Sequence, residues 1–257
     1  MRVFRTALSL LCGLVLLATL APPAQAVTPR LPLTCGMVIN TDANVYLAHD
    51  LTCPDFGIRV EYDHSGDVPP PHVRVDLRGH TLRGPGTGNG ITAFSGGLDP
   101  SYVEVVNGRV KNWGIAVGGD YSFHTRNVAL VDSGIGFGCG GLDCVADRTQ
   151  FRRNSTTGFS VGADASGTVT RSTFVHNAVG AFVIFISGLS IDHSVFRKND
   201  VGVLANDAVV TVSRSLFVRN HTAVQVLPFG DDGDCARLSH DVFVRNGVRV
   251  DGPTCSA

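Results

Sequence analysis

Glutamate and lysine are nearly missing from this chain of 257 residues: only Glu61, Glu104, Lys111 and Lys198 occur, with three glutamines. Exposed helix faces are built largely from those residue types, so a helical bundle or coiled coil is excluded. The net charge of −1 lacks the basic excess of a nucleic-acid-binding domain, and no nucleic-acid partner is expected. Beyond residue 26 no apolar stretch is long enough to span a membrane. Glycine, by contrast, is abundant at 30 residues, well above the usual ~7%. It follows no three-residue period, which excludes collagen. With Val, Thr, Ser, Asn and Asp it reads as strands separated by tight turns.

The first 26 residues read as an address. Arg2 and Arg5 form a basic start, residues 7–20 are apolar, and Ala24-Gln25-Ala26 is a small-residue cleavage site. This is the pattern of a secretory signal peptide, so a secreted, extracellular protein with a mature domain over 27–257 is expected. Cys12 leaves with that segment. The six remaining cysteines group locally, and an even number in an exported chain implies disulfides. The expected bridges are Cys35–Cys53, Cys139–Cys144 and Cys235–Cys255. A metal site is disfavoured, because no C-x-x-C pair has companion histidines.

The second half repeats. Five segments align without gaps around a phenylalanine: RTQFRRN (148–154), RSTFVHN (171–177), HSVFRKN (193–199), RSLFVRN (214–220) and HDVFVRN (240–246). A period of twenty-odd residues marks a solenoid. Within each repeat the apolar residues alternate with period two, as in Thr168-Val169-Thr170 and Thr211-Val212-Ser213. Each repeat therefore holds three short strands, and stacking pairs each strand with its copy ~4.8 Å along the axis. The expected fold is all-β: a single-stranded right-handed parallel β-helix of about eight coils, with the phenylalanines stacked inside. Residues 27–72 are expected to hold an N-terminal cap region and residues 73–234 and 236–251 the coils. Cys235–Cys255 would close the C-terminal end, giving disulfide-stapled ends. Shorter coils begin at Val75, Asn107 and Asn127.

CGMVI (35–39), DLTC (50–53), VDLRGHTL (75–82) and Gly90-Ile91 resemble the opening of secreted right-handed parallel β-helix repeat proteins of the pectate-lyase-like superfamily. The resemblance covers residues 35–251. It implies the fold, and for activity only a range from polysaccharide lyases and uronate epimerases to modules without chemistry. In enzymes of that superfamily substrate lies along the strand face after the Gly-hydrophobic step. The outward positions expected there are Thr92, Ala116, Gly136, Ser160, Phe182, Leu204, Gln225 and Arg249, which include no carboxylate. Asp120, Asp143, Asp164, Asp207, Asp231 and Asp251 fall in the turn beyond. Such a stack of carboxylates suits Ca²⁺, although aspartate is also a common turn residue.

Two columns flank the phenylalanines. Three residues before stand Arg148, Arg171, His193, Arg214 and His240, preceded by Asn107 and Asn127, which read as an asparagine ladder. Two residues after stand Arg153, His176, Lys198, Arg219 and Arg245. Stacked like charges repel, so interleaved aspartates or a bound polyanion are expected to offset them. His49, His64, His72 and His124 read as isolated loop histidines. Trp113 is the candidate exposed aromatic. These features suggest a monomer that binds, and by analogy modifies, an acidic polysaccharide or cell-envelope glycan. The alternative is a non-catalytic rigid module for adhesion or envelope architecture.

Overall fold

The computed structural model describes residues 30–61, 71–94, 102–185, 187–228 and 234–255. The expected signal peptide, His64 and Asp231 lie outside the described residues. Those described form strands that pair in parallel with their copies one coil away. The result is a parallel β-solenoid of three faces. A sheet of ten strands, from Met37–Ile39 to Val248–Asp251, makes the glycine face and marks about nine turns. A sheet of seventeen strands makes the other two. They are one sheet because Tyr102–Lys111 and Ser122–Val131 run unbroken through a corner, at Asn107 and Asn127. Residues 30–61 carry rungs of their own, since Arg30–Pro32 pairs with Ala43–Tyr46 and Met37–Ile39 with Ile58–Glu61.

The core follows from the alternation. Phe151, Phe174, Phe196 and Phe217 are fully buried, and with Phe243 they stack nearly parallel at centroid spacings of 4.4–5.1 Å. Opposite the rings runs a column of glycines. A Cβ on Gly180 would lie 2.4 Å from the Gly202 carbonyl oxygen and 2.9 Å from the Phe196 ring. The glycines are therefore what lets the rings meet the third wall.

Corners are made by single residues in the left-handed region, an unusual state for any residue with a Cβ. Corner amides turn inward and need acceptors, because the sheet ladder no longer reaches them. Two buried polar rows supply these. The Thr149, Ser172 and Ser194 amides donate to the hydroxyls of Ser172, Ser194 and Ser215 in the next coil, at 3.1–3.2 Å. Asn154, Asn177, Asn199 and Asn220 each donate backbone N–H and Nδ2 to the Oδ1 of the next asparagine, at 2.9–3.1 Å.

This corrects the expected ladder. It is built by the asparagines three residues after each phenylalanine, not by Asn107 and Asn127. Those two are exposed left-handed corners, and Asn107 Nδ2 donates to Asp76. Trp113 is also corrected: it is fully buried. Its indole fills the space left by Gly84, where a Cβ would fall 2.3 Å from the ring, and its Nε1 donates to the Leu82 carbonyl at 3.4 Å.

Candidate functional site

Both basic columns occupy left-handed corners. Arg148, Arg171, His193, Arg214 and His240 have φ of 47–58° and separate the first face from the phenylalanine face. Arg153, His176, Lys198, Arg219 and Arg245 have φ of 53–57° and separate the phenylalanine face from the glycine face. Each corner shows its side chain to solvent beside its copies one coil away.

The two columns differ in charge balance. Interleaved aspartates neutralise much of the first. Asp147 Oδ1 accepts from Arg171 Nε at 2.8 Å and Nη2 at 2.6 Å, and Arg148 lies 3.7 Å from Oδ2. Asp192 accepts from Arg214 Nε at 2.8 Å and from Ser213 at 2.6 Å, and it pairs with His193 Nδ1 at 2.6 Å. The hydrogen bond from Arg214, then that from Ser213, holds the Asp192 carboxyl far below the usual carboxylate range. Burial alone would raise that of Asp147, but hydrogen bonds from Arg171 and Thr170 outweigh it and lower the pKa.

The second column is neutralised only at its start, where Asp132 takes a two-pronged contact from Arg153 (2.6 and 3.1 Å) and Lys111 at 3.0 Å. Among the described residues His176, Lys198, Arg219 and Arg245 form no ion pair, and Arg152 and Arg197 project from the adjoining strands. His176 is held below the ordinary imidazole pKa by burial first, then by Lys198, Arg197, Arg152 and Arg153.

Between the columns the phenylalanine face is a shallow trough. Its C-terminal part, about 590 Å³, has Thr173, Val175, Val195, Leu216 and Val218 along it, with Arg152, His176 and Arg197 also lining it. A second part, about 480 Å³, continues past Gln150, which lines both, to Arg148, Asn127, Asn107 and Thr81.

The glycine face departs from expectation. Thr92 aligns with Gly118, Gly138, Ser160, Phe182, Leu204, Gln225 and Asp251. Ala116, Gly136 and Arg249 thus belong to another column; the first two are buried, and Arg249 lies over the Phe243 ring. The register slips because Gly114, Gly134 and Gly247 stand two residues ahead of the wall column, whose members in those coils are Ala116, Gly136 and Arg249. One carboxylate does stand in the outward column, Asp251, which accepts from Gln225 at 2.9 Å. Asp120 is an exposed turn residue, and Asp164 and Asp207 are left-handed corners. Among the described residues no three His, Cys, Asp or Glu side chains gather as a metal site.

His72 and His124 are corrected from loop histidines to strand residues of the first face. His124 Nδ1 meets the Tyr102 hydroxyl at 3.0 Å, and its Nε2 meets Asp143 Oδ2 at 3.2 Å. Beside them Glu104 bridges Arg74 and Arg126. Sequence reasoning missed Tyr102, Glu104, Arg74 and Arg126. One signal was present: Glu104 and His124 each stand three residues before the paired corners Asn107 and Asn127, hence side by side.

No family model and no curated protein matches the sequence. Among solved structures, the catalytic domain of a GH87 alpha-1,3-glucanase in complex with nigerose is similar, with TM-score 0.33 and 9% identity over 87% of this chain and 60% of that one. Its complex with tetrasaccharides gives TM-score 0.32 and 8% identity over 88% and 61%. The chain thus spans about 60% of the length of those domains.

Proposed function

We propose that this protein binds an acidic glycan, outside the cell, along the trough of the phenylalanine face. One observation carries the reading: His176, Lys198, Arg219 and Arg245 form a row without an ion pair among the described residues, in corners where asparagine or glycine sits with less strain. A left-handed residue with a Cβ costs roughly 1–2 kcal/mol, and stacked like charges add repulsion. A bound polyanion offsets that repulsion. The coil spacing of ~4.8 Å presents one cation per rung, and the aliphatic floor suits the apolar faces of sugar rings. Three disulfides suit an oxidising, extracellular setting.

Isothermal titration with oligogalacturonate, oligoalginate and a heparin fragment at low salt and about pH 6 tests the reading. Binding is expected to weaken steeply with salt, since exposed charges are screened over ~8–10 Å at physiological ionic strength. It is expected to strengthen as pH falls below the ordinary imidazole value of ~6.5, because the depressed His176 gains its charge only there. Lys198→Glu with Arg219→Glu should abolish it. Arg171→Glu with Arg214→Glu should weaken it less, because those cations already face Asp147 and Asp192. If none of the three glycans binds, the reading fails and a rigid, non-catalytic module takes its place.

A further inference from the structure

The geometry points to a second copy of this chain as the partner of the glycine face, and we propose a dimer whose two-fold axis runs along the solenoid. This replaces the monomer expected from the sequence, and it does not rest on the glycan reading.

The glycine face differs from the other two in charge. Its six successive strands Ile115–Gly119, Ile135–Cys139, Thr157–Val161, Val179–Ile184, Val201–Asn206 and Thr222–Leu227 contain no charged residue. Val179, Phe182, Ile184, Val201, Leu204 and Leu227 turn outward there, half-buried or exposed. Contiguous apolar surface of this kind marks a face that something covers. Phe185, at the end of the face, is 48% exposed and has φ of 49°. A bulky residue in the left-handed region is an outlier, and here its ring stays half in solvent. The next coil places Asp207 at the same corner, a residue type that tolerates it.

The edges of the face select the partner. Where its strands begin stands the second basic column: His176, Lys198, Arg219 and Arg245. Where they end stand Asp120, Asp143, Asp164, Asp207 and Asp251, with Phe185 in the coil of His176. A two-fold axis along the solenoid reverses strand direction across the interface. It therefore lays the cationic edge of one copy against the aspartate edge of the other, twice over. Height along the axis is unchanged, so each coil meets itself. Lys198 then faces Asp207 of the second copy, and Arg245 faces Asp251 of the second copy. His176 is held below the ordinary imidazole pKa by burial first, then by Lys198, Arg197, Arg152 and Arg153. It is mostly neutral near pH 7, and it meets Phe185 of the second copy. A two-fold across the solenoid would set cation against cation.

Sheets packed face to face lie about 10 Å apart, a gap that lysine and arginine bridge to an aspartate. Six strands at ~4.8 Å and five residues at ~3.3 Å give an outline of about 29 by 17 Å, roughly 500 Å² per copy. Side-chain relief and the charged edges bring this toward the ~800 Å² per partner of a standard interface. The dimer is therefore expected to form and dissociate with concentration.

Sedimentation velocity over a concentration series tests this on the oxidised chain, which should pass from monomer to dimer. Phe182→Ser with Leu204→Ser should weaken the dimer by roughly 10–100-fold, the scale of two half-buried apolar side chains, with an unchanged circular dichroism spectrum. Phe185→Asn should move two readouts apart: the dimer weakens, while the urea midpoint holds or rises because asparagine suits a left-handed corner. Lys198→Glu and Asp207→Lys should each weaken the dimer and together restore it. Within one chain those positions flank the strand Val201–Asn206, ~20 Å long, so rescue reports the contact between copies. A monomer at every concentration overturns the proposal, as does an open-ended polymer or a dimer indifferent to these variants. So does a monomer that co-sediments with phosphatidylcholine vesicles through Phe185, which assigns the face to a membrane surface. Lys198 also serves the glycan reading. Glycan titration of the serine variant, whose second column is intact, keeps the two apart: absence of binding there overturns the glycan reading alone.

Discussion

Asp147 and Asp192 decide how the first basic column can be tolerated, and they make the fold sensitive to acid. Both carboxyls have folded-state pKa values below the unfolded value of ~3.9. Their stabilisation is therefore complete above about pH 4 and is lost as pH falls further, because the unfolded chain then binds more protons. Asp132 acts in the same sense through Arg153. Asp241, raised by burial, acts in the opposite one. Urea midpoints measured between about pH 5 and pH 2.5 should fall, and Asp192→Asn should flatten that slope. An unchanged slope would mean that Arg214 and Asp192 do not stay paired in solution. The columns themselves were legible from residue identity alone. Their left-handed backbone was not, since arginine, lysine and histidine do not signal such a corner as glycine or asparagine does.

At the scale of the element, five rungs of one face are three-residue strands with a ring in the middle, and Phe174, Phe196 and Phe217 are each sandwiched between copies. Phe174→Ala removes a ring held at 4.5 and 4.4 Å from its neighbours and should cost about 3–5 kcal/mol. Gly180→Ala tests the opposite wall. Its new methyl would press on the backbone of the next coil, which cannot rotate away, and should cost about 1–3 kcal/mol. Chemical denaturation measures both. A loss below ~1 kcal/mol for Phe174→Ala would put the rings outside. The phenylalanine register was readable because it repeats five times without gaps. The glycine-face register was not, because Gly114, Gly134 and Gly247 offer the same glycine–apolar step two residues ahead of the wall column, and that slip exchanges the inward column for the outward one.

The whole molecule is quasi-one-dimensional: each coil touches only its neighbours, so stability is lost from the ends inward. Cys35–Cys53 and Cys235–Cys255 close loops of 18 and 20 residues near those ends. Each should stabilise by ~3 kcal/mol in the chain-entropy model. Replacing Cys235 and Cys255 by alanine should speed hydrogen exchange over Ala236–Ser239 and Val248–Asp251 while the central coils stay protected. Exchange that accelerates uniformly would show one global unit instead. The sequence by itself determined the solenoid, its inward phenylalanines and its three disulfides, because periodicity and local cysteine spacing are one-dimensional signals. Only the tertiary structure decided which basic column keeps its charge, which asparagines form the ladder, and that Tyr102, His124 and Asp143 meet. Those outcomes depend on which coils stack and on where corner backbones aim their side chains. That information lies in register between residues about twenty apart, not in the identity of any one of them.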